Sequence, residues 1–306
     1  NPPDVVLAVG GGSVIDTGKA VSAMVPCSES VTTFLEGVGT KKPGGEKIPF
    51  IAVPTTSGTG SEATKNAVIS RRGPEGFKKS LRHNNYVPDI ALIDPELVLS
   101  CPPDITAASG LDAITQLLEG FVSTASSPPS DALAGSGLLA AGRSFARAVE
   151  QGENDLDARS HMAYAAYMSG CVLANAGLGV VHGIAGYIGG KFPVSHGVAC
   201  GTLVAAATEI IIDKLFDLEE EGNVALLKYS EAGKYLSGRD SGSIENNCRL
   251  LVDQLYLWTE KYEIPGLGTY GITENECGEI AEKSEKKNTP VPLSAEDCFQ
   301  ICTHRL

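Results

Sequence analysis

The chain changes texture near residue 102. Before that point, apolar residues come in short β-branched runs that end at glycine, proline or threonine. The first run lies in NPPDVVLAVGGGSVIDTGKAVSAMV. It passes through a glycine turn into Val14, Ile15, Ala20, Val21 and Met24, which recur at helical spacing. An extended run, a turn and a helical period together read as one strand–turn–helix unit. KIPFIAVPTT then ends in a Thr/Gly-rich loop, and DIALIDPELV precedes Pro102 and Pro103. Three short strands with a helix between the first two predict a parallel sheet. With the first strand at the very start of the chain, few edge strands are available, so an upstream part of the sheet is expected to be absent.

After Pro103, stretches such as DITAASGLDAITQLLEGFVS, SDALAGSGLLAAGRSFARAVE and DLDARSHMAYAAYMSGCVLANA carry Ala, Leu and Glu at helical period, with few strand signals. They predict a helical second domain. Asp104 and Asp131 stand where N-caps belong, because a short side-chain oxygen there satisfies a free first-turn amide. SGRDSGS at 237–243 reads as a loop between helices, and helical period is ambiguous through GYIGGKFP. The expected division is an α/β domain over 1–102 and a helical domain over 103–306.

The 306 residues suffice for two domains and a sizeable core. A net charge of −13 argues against nucleic acid, whose backbone is bound by clustered Lys and Arg. No apolar stretch reaches the roughly 20 residues of a membrane-spanning helix, and no signal-peptide pattern opens the chain. The eight cysteines contain no CxxC pair and read as reduced, mostly buried thiols. A cytoplasmic protein acting on small molecules or proteins is the simplest expectation.

Two loops carry candidate chemistry. GGGSVID follows a strand and opens a helix, so its glycines let the backbone approach a ligand while helix amides face a phosphate. PTTSGTGSEAT, at 54–64, crowds hydroxyls and glycines after another strand end, where open α/β sheets place ligands. Together they predict a dinucleotide-binding α/β domain. In the helical half, Asp112 and Gln116 lie one turn apart on one face. His182 and His196 fall in a single glycine-spaced stretch. A carboxylate and two imidazoles suit zinc or ferrous iron; buried histidines held by ordinary hydrogen bonds would look the same in sequence.

GGGSVID, PTTSGTGSE, DPEL, GLDAITQLLE, VHG and SHG, in this order, resemble the iron-containing, or group III, alcohol dehydrogenase family, whose superfamily includes glycerol dehydrogenase and dehydroquinate synthase. KKNTPVPLS near the end is similar to its C-terminal signature. The resemblance implies NAD or NADP, a divalent metal (iron or zinc) in an interdomain cleft, and hydride exchange with a small polar alcohol or aldehyde. It assigns Gly11, Gly12 and Ser13 to the cofactor diphosphate, with Asp16 holding that turn. It places Thr55, Thr56 and Thr59 on the adenine and ribose side, and Lys78 at the nicotinamide ribose. Asp112, His182 and His196 match three of four metal ligands, and a homo-oligomer is expected.

Two positions depart from the family. Gln116 stands where the fourth ligand is a histidine, and an amide oxygen is a poorer donor than imidazole, so Gln116 is at most a weak fourth ligand. Gly186 stands where many members have a further cleft histidine, so no general acid is assigned. These departures keep two other readings in view: a metal-independent reductase of the maleylacetate reductase kind, and a catalytically decayed nucleotide-binding member.

Overall fold

The computed structural model describes residues 3–71, 73, 76–218 and 222–306. Strand β1 (Val6–Gly10) turns through Gly11 into helix α1 (Gly12–Met24), and β2 (Phe50–Pro54) follows. A hairpin of β3 (Asn66–Arg71) and β4 (Phe77–Arg82) precedes the two-residue β5 (Ile90–Ala91). The sheet is parallel in the order β1-β2-β5, and Val6 pairs with Phe50 through to Gly10 with Pro54. That register ends β1 and β2 at the same edge, so the glycine turn and the threonine loop emerge together. Ile15 on α1 packs with Ala8, Phe50 and Ala52, which closes one face of the sheet.

The hairpin was not predicted. It pairs antiparallel from Asn66↔Arg82 to Arg71↔Phe77 and packs Ala67 and Leu81 against Ala20 and Ala23 of α1. Lys19 bridges α1 to this region. Its buried ammonium donates to the Ser61 and Asn66 carbonyls, both at 2.8 Å, and to Thr64 Oγ1 at 3.0 Å. Burial pulls its pKa down to about 8.

The helical half runs through α2 (Pro103–Phe121), α3 (Pro128–Gln151), α4 (Leu156–Ala176), α5 (Val180–Lys191) and α6 (His196–Asp217). It continues with α7 (Val224–Ser237), α8 (Ile244–Lys261), α9 (Glu274–Lys283) and α10 (Ala295–Thr303). One large apolar core joins these helices, with Leu111, Leu138, Phe145, Ile184, Leu203 and Leu255 among its fully buried members. The ambiguous stretch resolves into the end of α5, a break at Phe192–Ser195, and α6. The loop expected over 237–243 runs from Gly238 to Ser243, because Ser237 still belongs to α7.

Neither predicted aspartate caps its helix. Pro102 is the N-cap of α2, and Ser127 caps α3 through a reciprocal box with Ser130. The prolines at 103 and 128 set φ for a first helical residue, which moves each start upstream. Asp104 and Asp131 lie instead in first turns, where a carboxylate is favoured by the helix dipole. All eight cysteines are free thiols, and five are buried. Among the described residues, no single helix is long and apolar enough to cross a membrane.

Candidate active site

The two loops touch. The Thr55 N–H donates to the Gly10 carbonyl at 3.0 Å. A Cβ at Gly11 would stand 3.3 Å from the Thr56 side chain, a tight fit, and one at Gly12 only 2.6 Å from Thr59 Oγ1, so at Gly12 this approach leaves no room for a side chain. Gly11 is the N-cap of α1 and no side chain caps that end; Ser13 is exposed in the first turn. Asp16 is placed differently from the expectation. Rather than holding the glycine turn, its carboxylate accepts from the Ser61 hydroxyl at 2.5 Å and the Val68 N–H at 3.0 Å. It lies on the face of α1 that meets the second loop and the hairpin, and it braces those.

Asp112, His182, His196 and Cys200 converge from α2, α5 and α6, with one ligand atom of each lying within 4.8 Å of the others. His182 Nε2 is 3.3 Å and His196 Nε2 3.8 Å from Asp112 Oδ1. Cys200 Sγ is 3.6 Å from His182 Nε2. The other nitrogen of His182 lies 2.6 Å from Glu119 Oε2, and Glu119 Oε1 accepts the Val181 N–H at 2.6 Å. A carboxylate behind a histidine fixes the tautomer, leaving the far nitrogen for a ligand. Gln116 points elsewhere, its amide nitrogen donating to the Gly58 carbonyl at 3.3 Å and Ser169 Oγ at 3.1 Å. One face of α2 therefore serves the cluster through Asp112 and the threonine loop through Gln116.

These residues fit a divalent ion. Asp112 is 1 % exposed, and its Oδ1 is buried with no hydrogen-bond partner, although two imidazoles face it. A buried carboxylate oxygen in that condition costs free energy unless a cation completes it. Burial opposes the charge on Asp112, yet the two histidines beside it hold its pKa well below the usual carboxylate range. Burial and the nearby Lys78 push His196 down to about 3, leaving a neutral ring with a lone pair to give. For His182, burial acts downward, but Cys200, Glu119 and Asp112 outweigh it and raise the pKa well above the ordinary value. Burial pushes the Cys200 thiol up to about 12.

Lys78, on β4, links the two groups of residues. Its stem crosses α5 at Gly189, where a Cβ would lie 3.1 Å from its Cδ. Burial holds its ammonium below the ordinary lysine range, against the pull of Cys200, Asp112 and Asp16. On the same stretch of α5, the place of a Cβ at Gly186 has nothing within 4 Å, so the cleft is open one turn beyond His182.

Two family models match consecutive parts of the chain: iron-containing alcohol dehydrogenase over residues 1–95, and the C-terminal region of the Fe-containing alcohol dehydrogenase family over 106–305. The chain belongs to the iron-containing alcohol dehydrogenase family. It is 39% identical to long-chain-alcohol dehydrogenase 1 of Geobacillus thermodenitrificans (strain NG80-2), with 97% of this chain and 74% of that protein covered. NAD-dependent methanol dehydrogenase of Bacillus methanolicus is 35% identical, with 99% and 77% covered. The crystal structure of 1,3-propanediol oxidoreductase superposes with a TM-score of 0.84 at 26% identity, covering 99% of this chain and 77% of that one. The chain thus spans about three quarters of the length of these relatives. It spans 53% of alcohol dehydrogenase 4 of Saccharomyces cerevisiae (strain ATCC 204508 / S288c), which is 37% identical over 67% of this chain. Membership makes the chain an oxidoreductase acting on CH–OH groups.

Within this alcohol dehydrogenase fold, sequence reasoning missed Glu119 and Cys200. Both carried a spacing signal: Glu119 is two turns after Asp112 on α2, and Cys200 is one turn after His196 on α6. Glu119→Gln keeps the shape behind His182 but removes its charge. It is expected to weaken metal retention by about 10–100-fold, the usual cost of losing such a partner; competition with a chromophoric chelator measures it, and unchanged affinity would make Glu119 a packing residue only. A separate groove of about 980 Å³ between α6 and α8, lined by Glu209, Asp213, Glu245 and Arg249 among others, shares no residue with the cluster.

Proposed function

We infer that this dehydrogenase transfers hydride between NAD or NADP and a small polar alcohol or aldehyde, in a cleft whose divalent ion is held by Asp112, His182 and His196. The observation that carries the reading is the unpartnered Asp112 oxygen facing two histidines, beside Lys78 and near the glycine and threonine loops. Gly11, Gly12 and Ser13 bring the start of α1 to the cofactor diphosphate. Thr55, Thr56 and Thr59 line the adenine and ribose side, while Asp16 steadies that loop through Ser61. Lys78 reaches the ribose next to the nicotinamide, which gives or takes the hydride.

The bound ion supplies Lewis-acid polarisation of the substrate's carbon–oxygen bond. Glu119 holds the His182 ring in position, Asp112 brings the negative charge that retains the ion, and burial of both excludes water. The open space at Gly186 gives substrate a place beside the cluster. The same reading divides the chain into a cofactor domain over 1–102 and a metal and substrate domain over 103–306; the start of α2 at Pro103 supports this. A homo-oligomer, supported by the family resemblance, and a cytoplasmic location, supported by the free buried thiols, complete it.

Exhaustive chelation is expected to lower alcohol-dependent reduction of NAD or NADP by at least about 10²-fold, the scale of a several-kcal/mol loss of charge stabilisation. Adding zinc or ferrous iron should restore the rate. Activity that survives chelation and does not respond to metal would return the metal-independent reductase reading.

A further inference from the structure

Gln116 stands where the family resemblance expects the fourth ligand, and its amide nitrogen is engaged by Gly58 and Ser169. We propose that Cys200 supplies the missing ligand, so that Asp112, His182, His196 and Cys200 form one thiolate-containing shell that takes zinc in preference to ferrous iron. This rests on the metal-assisted reading above and adds the donor that reading lacks.

The four ligand atoms lie within 4.8 Å of one another, and the edges made by His182 match those of a tetrahedral shell. Cys200 follows His196 by one turn of α6, so the two side chains leave the helix on one face. Its sulfur is fully buried, 3.6 Å from His182 Nε2 and 3.9 Å from each ring nitrogen of His196. Tetrahedral zinc has bonds of about 2.0–2.1 Å to nitrogen and oxygen and about 2.3 Å to sulfur, which sets N–O edges near 3.3 Å and S–N edges near 3.6 Å. The Asp112–His182 and Cys200–His182 separations are 3.3 and 3.6 Å. The edges from His196 Nε2 are longer, 3.8 Å to Asp112 and 3.9 Å to Cys200, so that ring moves inward by a few tenths of an ångström to close the shell.

Charge and softness agree with the geometry. With two neutral imidazoles, a dication and the Lys78 ammonium set against Asp112 and Glu119 leave one unit of positive charge at the site; a thiolate cancels it. Binding forms the metal–ligand bonds and releases to solvent the thiol proton of Cys200 and the proton carried by metal-free His182, with no change in oxidation state. Thiolate is a soft donor that favours zinc, and zinc already stands above ferrous iron in intrinsic affinity for nitrogen, oxygen and sulfur sites. Cys200 therefore compensates for Gln116 from a different helix.

Cobalt(II) titration of the metal-stripped full chain, under anaerobic conditions, tests the ligand directly. The expected result is about one cobalt per chain and a near-ultraviolet thiolate-to-cobalt charge-transfer band, lost in Cys200→Ser. That variant is isosteric, so it should keep the wild-type circular dichroism, while zinc affinity falls by at least about 100-fold, more than the loss of an outer partner costs. Cys200→His, which restores an imidazole donor, should recover zinc binding without the band. Offered equal zinc and ferrous iron, the wild type should retain at least about tenfold more zinc. Stoichiometric cobalt without the band, or with a band that persists in Cys200→Ser, would remove Cys200 from the shell while leaving the metal reading intact. Iron retained in preference to zinc would overturn the selectivity. Absence of any cobalt or zinc binding would remove both the shell and the reading beneath it.

Discussion

Asp112→Asn is expected to leave less than a tenth of the wild-type metal content and to lower kcat/KM by about 10³-fold or more. The substitution is isosteric, so packing on α2 is kept, and the loss is of charge and of a ligand oxygen. A several-kcal/mol effect follows because Asp112 is enclosed and one of its oxygens faces both histidines. Stability should respond differently. In chelator, the two histidines that hold the Asp112 pKa well below the carboxylate range stabilise its charge in the folded chain, so the metal-free variant should melt somewhat below the metal-free wild type, and with metal present the gap should widen because only the wild type binds the ion. Elemental analysis, steady-state kinetics and calorimetry in chelator and with metal present read the three outcomes. Metal content and kcat/KM within tenfold of wild type would take Asp112 out of the site. A variant that melts as far below wild type in chelator as it does with metal present would mark Asp112 as a structural residue whose activity loss is indirect.

That separation of function from stability also explains which residues could be read from the chain. The glycine turn and α1 were legible because the apolar period switches there from two to 3.6, around residues whose backbone freedom the turn needs. The β3–β4 hairpin was not. Its buried apolar positions, Ala67 and Leu81, are separated by Arg71, Lys78 and Lys79, and strand formation there depends on packing against α1 rather than on local propensity. The end of α5 was ambiguous because Gly183, Gly186, Gly189 and Gly190 are poor helix formers, and the helix is sustained by its burial beside β4 and α6.

At the site, Asp112, His182 and His196 were legible from residue type, and the structure brings them together. Glu119 and Cys200 were harder to see, since an acid near the end of an apolar helix and one cysteine among eight each have ordinary explanations. Only the fold shows that their spacing from Asp112 and His196 points them inward. Asp16 was read in the right region but given the wrong partner, because its bonds to Ser61 and Val68 join segments more than 40 residues apart in sequence.

The largest stability effect is expected from Gly60→Ala. Gly60 sits at φ +59°, ψ 26°, and a Cβ there would stand 2.4 Å from the Ala166 carbonyl and 2.5 Å from the Gly170 nitrogen. The left-handed conformation alone costs a residue with a Cβ about 1–2 kcal/mol. The contact adds about 1–3 kcal/mol because both neighbours are helix backbone and no rotamer can relieve it. Gly170 offers no retreat, since a Cβ on it would lie 2.2 Å from the Gly60 carbonyl. The two glycines let the threonine loop rest directly on α4, and Lys19 and Asp16 hold the following residues from the other side. A total of about 2–5 kcal/mol should lower the melting temperature by at least about 3 °C, and cofactor affinity should fall with it as Thr59 moves off Gly12. Gly186→Ala is the control for stability: its site is helical and open, so it should leave the melting temperature unchanged or raise it slightly. A Gly60→Ala variant as stable as the wild type would mean that the loop is free to lift from α4, and that this contact does not set the separation between the cofactor loops and the metal cluster.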